Sequence, residues 1–247
     1  MTQGDGHFPL VHQIWFTFLP EQDTIPPNCQ KILDLVGQSR YRLWTLASAR
    51  EFLLENFEGS VVSAFDRLKP LAYKSDLFRF CVILKLGGYY LDLAVTDPRL
   101  PDVADYDFIG FCDLNNENSS WKIQNGYFYA RAGSIILQDA IQQVVDNGDR
   151  EYYGKDAHFP TGPSVLGRSV AKLSLELKVL MGHYHWHRRR RNKYLLPGQV
   201  VVGRGKIGGK YRESASGIPG GNNYRELWRD RDVYEGKQIP GDVNSEM

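Results

Sequence analysis

The stretch LAYKSDLFRFCVILKLGGYYLDLAV, residues 71–95, decides how the rest of the chain is interpreted. Its first two thirds are almost continuously apolar, which predicts a buried helix that the following pair of glycines ends. A strand is expected next. Its two-residue period places Tyr90, Asp92 and Ala94 on one face, so that one carboxylate emerges near the end of the strand.

The predicted helix carries two charged residues among its apolar ones. Asp76 and Arg79 are three residues apart, so they lie on the same face of the helix. In a buried setting they form either a functional pair or an ion pair that only holds the helix. For Asp92 the alternative to a functional role is a solvated carboxylate at the end of a strand.

These residues resemble the DXD-type glycosyltransferases, in particular glycosyltransferase family 32, which groups fungal mannosyltransferases, bacterial capsule and lipopolysaccharide sugar transferases, and relatives among glucosylating toxins. The family pattern is A-x-x-S-D-x-x-R, a short apolar helix, and G-G-x-Y-x-D-x-D. Position 94 departs from this pattern because it is alanine. Weaker similarities extend the resemblance to about residues 8–170. The chain supplies Ala72, Ser75, Asp76, Arg79, Gly87, Gly88, Tyr90 and Asp92 of the pattern, and the weaker segments are His12 to Trp15, Trp44, Asn125 to Phe128 and Thr161 to Pro163.

The resemblance implies a GT-A-type enzyme that moves a sugar from a UDP- or GDP-sugar donor to a hydroxyl group, with retention of configuration. The acceptor would be a glycan or a lipid-linked molecule. The implied catalytic residues are Asp76, Arg79, Asp92 and Asn125, of which the first two would hold the donor sugar. The implied donor contacts are Gln13, Trp15, Trp44, Ser75, Tyr90 and Trp228.

Several of these residues have a structural alternative. Trp15 and Trp44 either stack on the nucleotide base or fill the core. Asn125 either faces the sugar or caps a turn. Trp228 either closes over the diphosphate of the donor or packs a terminal amphipathic element.

Ala94 raises the question of a metal cofactor. In the family, the second acidic residue of the D-x-D motif usually binds Mn²⁺ or Mg²⁺, and Asp92 alone remains here as an implied metal ligand. Asp97 is expected not to replace the missing ligand, because its parity is opposite to that of Asp92 and Pro98 ends the strand.

Three alternatives follow from that gap. In the first, a metal is held loosely by Asp92, diphosphate oxygens, water and a group from residues 203–223. In the second, arginine and lysine neutralise the diphosphate without metal. In the third, activity has been lost. An alanine introduced to trap a substrate complex would give the same sequence.

Composition agrees with an ordinary enzyme. The chain has 247 residues, 42% of them hydrophobic, and we expect one domain over residues 1–235 with a disordered tail at 236–247. Thirty basic and 29 acidic residues leave a formal charge of +1, so nucleic acid is not an expected partner. A basic, apolar leader is absent from the first residues, no apolar run reaches about 18 residues, and three cysteines form no even set. We therefore expect a cytoplasmic protein with reduced thiols.

The order of segments predicts an α/β fold with a mostly parallel central sheet flanked by helices. A polar loop is expected at 115–119 and a mobile glycine-rich loop at 203–223. The remaining expected elements are strands at 10–18, 41–46, 107–112 and 127–130, and helices at 28–37, at 48–57 with a serine cap, and at 134–147.

The segment HYHWHRRRRNKY has two features of its own. His183, His185 and His187 alternate, so that they either form a metal site on one strand face or belong to a basic surface strand or loop. Arg188 to Arg191 either bind phosphates or an anionic membrane surface peripherally, or form a solvated charge run.

Two other functions compete with sugar transfer. A catalytically impaired or inactive pseudoenzyme would keep the fold and bind sugar nucleotides without turning them over. A phosphate- or nucleic-acid-binding module would use the arginine run, but the near-neutral charge argues against it.

Overall fold

The computed structural model describes residues 9–19, 26–113, 121–187, 190–207 and 222–236. One eight-stranded sheet forms its centre. The strands are β1 (Val11–Ile14), β2 (Tyr41–Trp44), β3 (Gly88–Leu91), β4 (Phe108–Asp113), β5 (Tyr127–Ala130), β6 (Val179–His185), β7 (Arg191–Leu196) and β8 (Val200–Ile207). The helices are α1 (Pro27–Val36), α2 (Leu46–Asn56), α3 (Gly59–Arg67), α4 (Leu71–Leu86), α5 (Ile135–Asp149), α6 (Pro163–Leu173) and α7 (Tyr224–Arg229), with 3-10 turns at Ser174–Glu176 and Pro197–Gln199.

The sheet confirms the α/β class, but it is mixed rather than mostly parallel. Its order is β2-β1-β3-β5-β4-β6-β7-β8. β1 pairs in parallel with β2 and β3, and β4 pairs in parallel with β6. β5 runs antiparallel between β3 and β4, and β6, β7 and β8 form an antiparallel meander. The connections within this meander are too short for parallel pairing, which needs a crossover of a dozen or more residues.

Both faces of the sheet are covered. Residues of α2 to α6 pack on one face in a large apolar cluster, with α7 at its margin. Residues of α1 and of the segment 93–106 pack against the other face in a second cluster. The sheet curls toward this second face, since Thr96 forms two backbone hydrogen bonds with Arg204 of β8 and the Arg99 amide donates to Val202. β8 thereby returns to the segment that follows β3.

Helix α4 matches the prediction from residue 71 to residue 86. Gly87, with φ 66°, ends it, and the Gly87 amide donates to the Ile83 carbonyl. Gly88 starts β3 with φ 110°, and a Cβ at that position would lie 2.4 Å from the Leu10 carbonyl oxygen. Only glycine fits this close approach to β1.

Two predicted boundaries are wrong for local reasons. Helix α2 begins at Leu46 with Thr45 as its N-cap, while Ser48 is the third helical residue and completes the capping box. The strand predicted to continue to residue 95 ends at Leu91, because the Val95 amide donates to the Asp92 carbonyl and closes a turn.

Other elements were not expected from the sequence, or were expected elsewhere. α3 and α6 were not predicted, and residues 203–207, predicted as part of a mobile loop, belong to β8. The loop at 115–119, residues 208–221 of the predicted mobile loop, and residues 237–247 of the predicted tail lie outside the described residues. None of the helices in the described parts of the chain has the length and apolar character needed to cross a bilayer.

Candidate active site

The candidate site lies at one edge of the sheet, where several strands end. β1, β2, β3, β4 and β6 all point in the same direction, which follows from their pairings. Asp92 is the first residue after β3 at this edge. Such an edge is the usual location of ligand sites in α/β proteins.

Arg79 connects the parts of the site. It is only 5% exposed, and its guanidinium donates to the carbonyls of Ser75 at 3.0 Å and Asn125 at 2.7 Å. It also lies 3.2 Å from a carboxylate oxygen of Asp76 and 3.2 Å from one of Asp92. One buried cation therefore holds two carboxylates and a loop.

The charge of Arg79 is secured by its surroundings. Burial acts to lower the pKa of Arg79, but Tyr90 and the two carboxylates outweigh this effect and the pKa is raised. The Tyr90 ring also lies under the guanidinium, 4.4 Å from it, as in a cation–π contact.

Asp76 is held by three hydrogen-bonding or charged partners, Asn125, Thr161 and Arg79. Its Oδ1 accepts from the Asn125 amide at 2.7 Å, and its Oδ2 accepts from the Thr161 hydroxyl at 2.8 Å. Burial raises the pKa of Asp76, against the opposing effects of Arg79 and of these hydrogen bonds. Because both oxygens already accept and Arg79 lies beside them, the geometry fits the ionised form.

Gly162 lies directly against Asp76. A Cβ on this glycine would approach Asp76 Oδ2 to 2.8 Å and would crowd the carboxylate. Asp76, Asn125 and Thr161 thus fit together closely at the start of α6.

Asp92 is the more accessible of the two carboxylates, with 40% of its side chain exposed. Its Oδ1 accepts from the Tyr90 hydroxyl at 2.8 Å and from Arg79. Its amide donates to the Gly126 carbonyl at 2.7 Å. Oδ2 takes no hydrogen bond from the part of the chain that the structure describes, so it is the oxygen available to a ligand.

The turn after β3 changes the relation between Asp92 and Ala94. The prediction that both lie on one strand face is wrong, because residues 92 to 95 form a turn and two-residue alternation ends at Leu91. The parity argument against Asp97 fails for the same reason. Asp97 has φ 50° and an exposed side chain 3.9 Å from Arg204.

Two residues join the site from distant parts of the chain. Thr161 binds Asp76, and its segment had a recognisable signal in the sequence, Thr161-Gly162-Pro163. Tyr194 of β7 was not predicted. A Cβ on Gly126 would lie 3.2 Å from the Tyr194 hydroxyl and 2.6 Å from Asp92 Oδ2, so these two groups lie close together.

The predicted donor contacts in β1 and β2 pack internally. Gln13 is fully buried, and its amide oxygen accepts from the Tyr41 hydroxyl at 2.9 Å. Trp44 packs against Phe52 and Phe78, and its indole N–H donates to His12 Nδ1 at 3.2 Å. The core-packing alternative describes Trp44 well.

The remaining predicted contacts differ in their relation to the site. Trp15 is half-buried beside the end of β2, where its amide donates to the Trp44 carbonyl. Ser75 reaches the site through its backbone carbonyl. The Trp228 indole donates to the Tyr153 carbonyl at 2.8 Å, which fixes this side chain on α7 by internal packing.

The alternating histidines do not form a metal centre in the described structure. His183 and His185 lie on β6, while His187 follows the strand and its amide donates to Asn192. Among the residues that the structure describes, no group of three histidine, cysteine, aspartate or glutamate side chains is arranged to hold a metal ion. Arg190 is exposed before β7, and Arg188 and Arg189 lie outside the described residues.

The arrangement as a whole can accept hydrogen bonds from a polyhydroxylated ligand. Asp92 offers one exposed carboxylate oxygen at the sheet edge, and the Arg79 network prevents it from rotating. As a cation ligand, Asp92 supplies one carboxylate oxygen, and no group of three possible ligands is arranged around a metal position in the described residues. Mn²⁺ or Mg²⁺ would therefore take most of its oxygen ligands from a bound diphosphate and from water. The residues fit a cation bound in that way.

Comparison with known proteins relates part of this chain to glycosyltransferases. Residues 25–98 match the family model described as the glycosyltransferase sugar-binding region containing the DXD motif. An uncharacterized glycosyltransferase of Acanthamoeba polyphaga mimivirus is 27% identical over 106 residues, which make up 41% of this chain and 40% of that protein. The inositol phosphoceramide mannosyltransferase 3 of Schizosaccharomyces pombe is 33% identical over 95 residues, or 38% of this chain and 26% of that protein.

The matched region thus spans less than half of these relatives. Among solved structures, the PaToxG glycosyltransferase superposes with a TM-score of 0.46 at 14% identity, covering 67% of this chain and 69% of its own. The family match contains Asp76, Arg79 and Asp92, the residues that the structure brings together. Residues 25–98 are therefore similar to the sugar-binding region of glycosyltransferases that contain the DXD motif.

Proposed function

We propose that this protein transfers a sugar from a UDP- or GDP-sugar to a hydroxyl group of a glycan or lipid-linked acceptor, with retention of configuration. The observation that carries the proposal is the junction of Asp92 and Asp76 through Arg79 at the sheet edge. A structural ion pair would need only one of these carboxylates. The second one, Asp92, has a partly exposed side chain, and its Oδ2 takes no hydrogen bond from the described residues.

In the proposed reaction, the bond between the sugar and the diphosphate breaks while the acceptor oxygen bonds to the anomeric carbon. The proton of the acceptor hydroxyl passes to the departing diphosphate. Asp92 Oδ2 binds the donor at its ribose or at a diphosphate-bound cation, and Asp76 and Asn125 bind sugar hydroxyls. Arg79 fixes both carboxylates and supplies positive charge under the site. Such preorganised charge contributes several kcal/mol to transition-state stabilisation.

A divalent cation, Mn²⁺ or Mg²⁺, would offset the charge of the leaving diphosphate when it is bound. Asp92 is the residue that would contact it. Arg79 keeps Asp92 Oδ1 occupied, so that only Oδ2 is left for that contact.

The test is turnover by the Asp92→Asn variant. Slow hydrolysis of the donor should be measured with a panel of UDP- and GDP-sugars, with and without Mn²⁺. We expect Asp92→Asn to reduce turnover at least ~100-fold while leaving the melting temperature nearly unchanged, because this side chain is partly exposed. Wild-type turnover in this variant would contradict the assignment.

A second candidate is a pseudoenzyme that binds sugar nucleotides without turnover, favoured by the alanine at position 94. Tight calorimetric binding of a donor without hydrolysis by the wild-type chain would establish it. If the chain neither binds nor hydrolyses any donor, both functions are contradicted.

We also propose a cytoplasmic location, with peripheral contact to an anionic membrane through the basic segment around Arg190 and Arg191. The test is fractionation of cells that express the full protein. Recovery in the lumenal fraction would contradict it.

A further inference from the structure

A cavity lies away from Asp92. Its volume is about 320 Å³, at the lower end of the range of small-molecule pockets. The walls are mostly apolar and come from the end of β4, the second half of α6 and the start of β6. They include Cys112, Trp121, Ile123, Val170, Leu177 and Met181.

The cavity is separate from the candidate active site but close to it. α6 begins beside Asp76 at Gly162, and Gly167 and Val170 of the same helix line the cavity. At a rise of about 1.5 Å per residue, these two residues lie roughly 8 and 12 Å along the helix from Gly162. The cavity is therefore within reach of a ligand whose other end is at the sheet edge.

A row of basic side chains continues from the cavity along the same sheet face. Met181 lines the cavity, and His183 and His185 follow on the same face of β6 at intervals of about 6.7 Å. His185 pairs with Lys193 of β7, and Lys193 pairs with Arg204 of β8. We call His185, Lys193 and Arg204 the basic row.

Few carboxylates lie close to the side chains of the basic row among the described residues. Basic residues directly opposite each other on neighbouring strands destabilise a sheet. Arg204 has a distant partner in Asp97 at 3.9 Å, and no carboxylate of the described residues lies within ion-pair distance of Lys193. His185 is exposed, and half of the Arg204 side chain is exposed as well. An anion bound along the row would offset this repulsion.

Large apolar side chains surround the same region. Trp121 on the cavity wall is 66% exposed, Leu175 beside the cavity is 95% exposed, and Trp186 after β6 is 41% exposed. Exposed tryptophan and leucine next to basic residues are typical of surfaces that meet lipid. The cavity alone would take many apolar ligands, but charge complementarity selects one that also carries an anion.

We propose that the cavity and the basic row together bind a lipid phosphate, with an alkyl chain in the cavity and the phosphate on His185, Lys193 and Arg204. The bound lipid phosphate would be the acceptor of the sugar, because the basic row and Asp92 lie at the same edge of the sheet. This role rests on the proposed function. Its binding does not depend on sugar transfer and can be measured without a donor.

The test is calorimetric binding of dodecyl phosphate, kept below its critical micelle concentration, to the full chain. Inorganic phosphate and dodecyl maltoside, which each lack one half of the ligand, should bind much more weakly. Decyl phosphate should bind about 15-fold more weakly than dodecyl phosphate, because it has two fewer CH₂ groups and each buried CH₂ strengthens binding about fourfold. Equal affinity for the two chain lengths would overturn the proposal.

Two variants separate the halves of the site. Ala171, an exposed helical residue that lines the cavity, can be changed to Phe to fill it, and this variant should lose the chain-length dependence. Lys193→Glu should weaken dodecyl phosphate binding at least tenfold. Lys31→Glu, an equal charge change on α1 at the opposite face, should leave it unchanged. Melting temperatures confirm that each variant is folded.

UDP binding distinguishes a lipid phosphate from the phosphates of a nucleotide. We expect Lys193→Glu to leave UDP affinity within about twofold of wild type. An equal loss of UDP and dodecyl phosphate binding would assign the row to the donor and overturn the proposal. Binding of dodecyl phosphate without donor hydrolysis would contradict only the proposed function, and hydrolysis without dodecyl phosphate binding would contradict only this inference.

Discussion

The neutral form of His12 should make folding stability depend on pH. His12 is fully buried in β1, and the Trp44 indole donates to its Nδ1. Nδ1 must therefore be unprotonated, and Nε2 carries the proton that is donated to the Gly87 carbonyl at 3.1 Å. A second proton on Nδ1 would face the indole N–H and break that hydrogen bond.

Burial lowers the pKa of His12 from 6.5 to about 4. The unfolded chain therefore binds this proton at a higher pH than the folded one. The free energy of unfolding is fully retained above pH 6.5 and falls as the pH is lowered through the folded pKa. A difference of about 2.5 pKa units corresponds to ~3 kcal/mol lost by pH 4, a large part of the 5–15 kcal/mol typical of whole domains.

The perturbation is His12→Gln, which keeps an N–H donor for Gly87 but cannot titrate. We expect this variant to be about 1 kcal/mol less stable at pH 7, because it loses the Trp44 hydrogen bond. It should then lose ~3 kcal/mol less than wild type between pH 7 and pH 4. Urea denaturation at a series of pH values measures both quantities.

Parallel wild-type and His12→Gln curves from pH 7 to pH 4 would refute the reasoning, because His12 would then be protonated equally in the folded and unfolded chains.

Three further predictions concern the candidate active site. Arg79→Ala should destabilise the protein by ~3–5 kcal/mol in urea, because Asp76 is left as an unpaired buried charge; a loss below 1 kcal/mol would contradict this. Gly126→Ala should reduce turnover at least ~10-fold with little change in melting temperature, because the added Cβ meets only side-chain tips, including Asp92 Oδ2 at 2.6 Å. Ala94→Asp should make donor affinity depend on Mn²⁺, since a second hard oxygen ligand enters the same turn; calorimetry with and without chelator decides it.

The sequence predicted those parts of the fold that local patterns determine. α4 and β5 were predicted with their observed boundaries, because a long apolar run bounded by glycines and a short aromatic strand have little ambiguity. α6 was missed because Gly167 lies in its interior, where glycine normally disfavours a helix. A Cβ there would lie 1.6 Å from the Trp121 carbonyl oxygen, so the glycine serves packing that only the folded chain reveals.

The candidate site was predictable only in part for a similar reason. Helical spacing placed Asp76 and Arg79 together, and the resemblance added Asp92 and Asn125. The turn after Leu91 depends on contacts with distant residues, so alternation could not reveal it. Tyr194 comes from a strand 68 positions after Gly126 in the chain, and no local pattern connects the two.

The partners of Asp76 also determine which part of the chain must be present for the site to form. Asn125 and Thr161 lie 49 and 85 positions after Asp76. Both fall outside the family-matched region, residues 25–98. During synthesis, the Asp76 carboxylate lacks its full set of partners until residue 161 has emerged from the ribosome. Residues 25–98 alone therefore do not contain all partners of Asp76, and a fragment or fusion limited to them would lack a formed site.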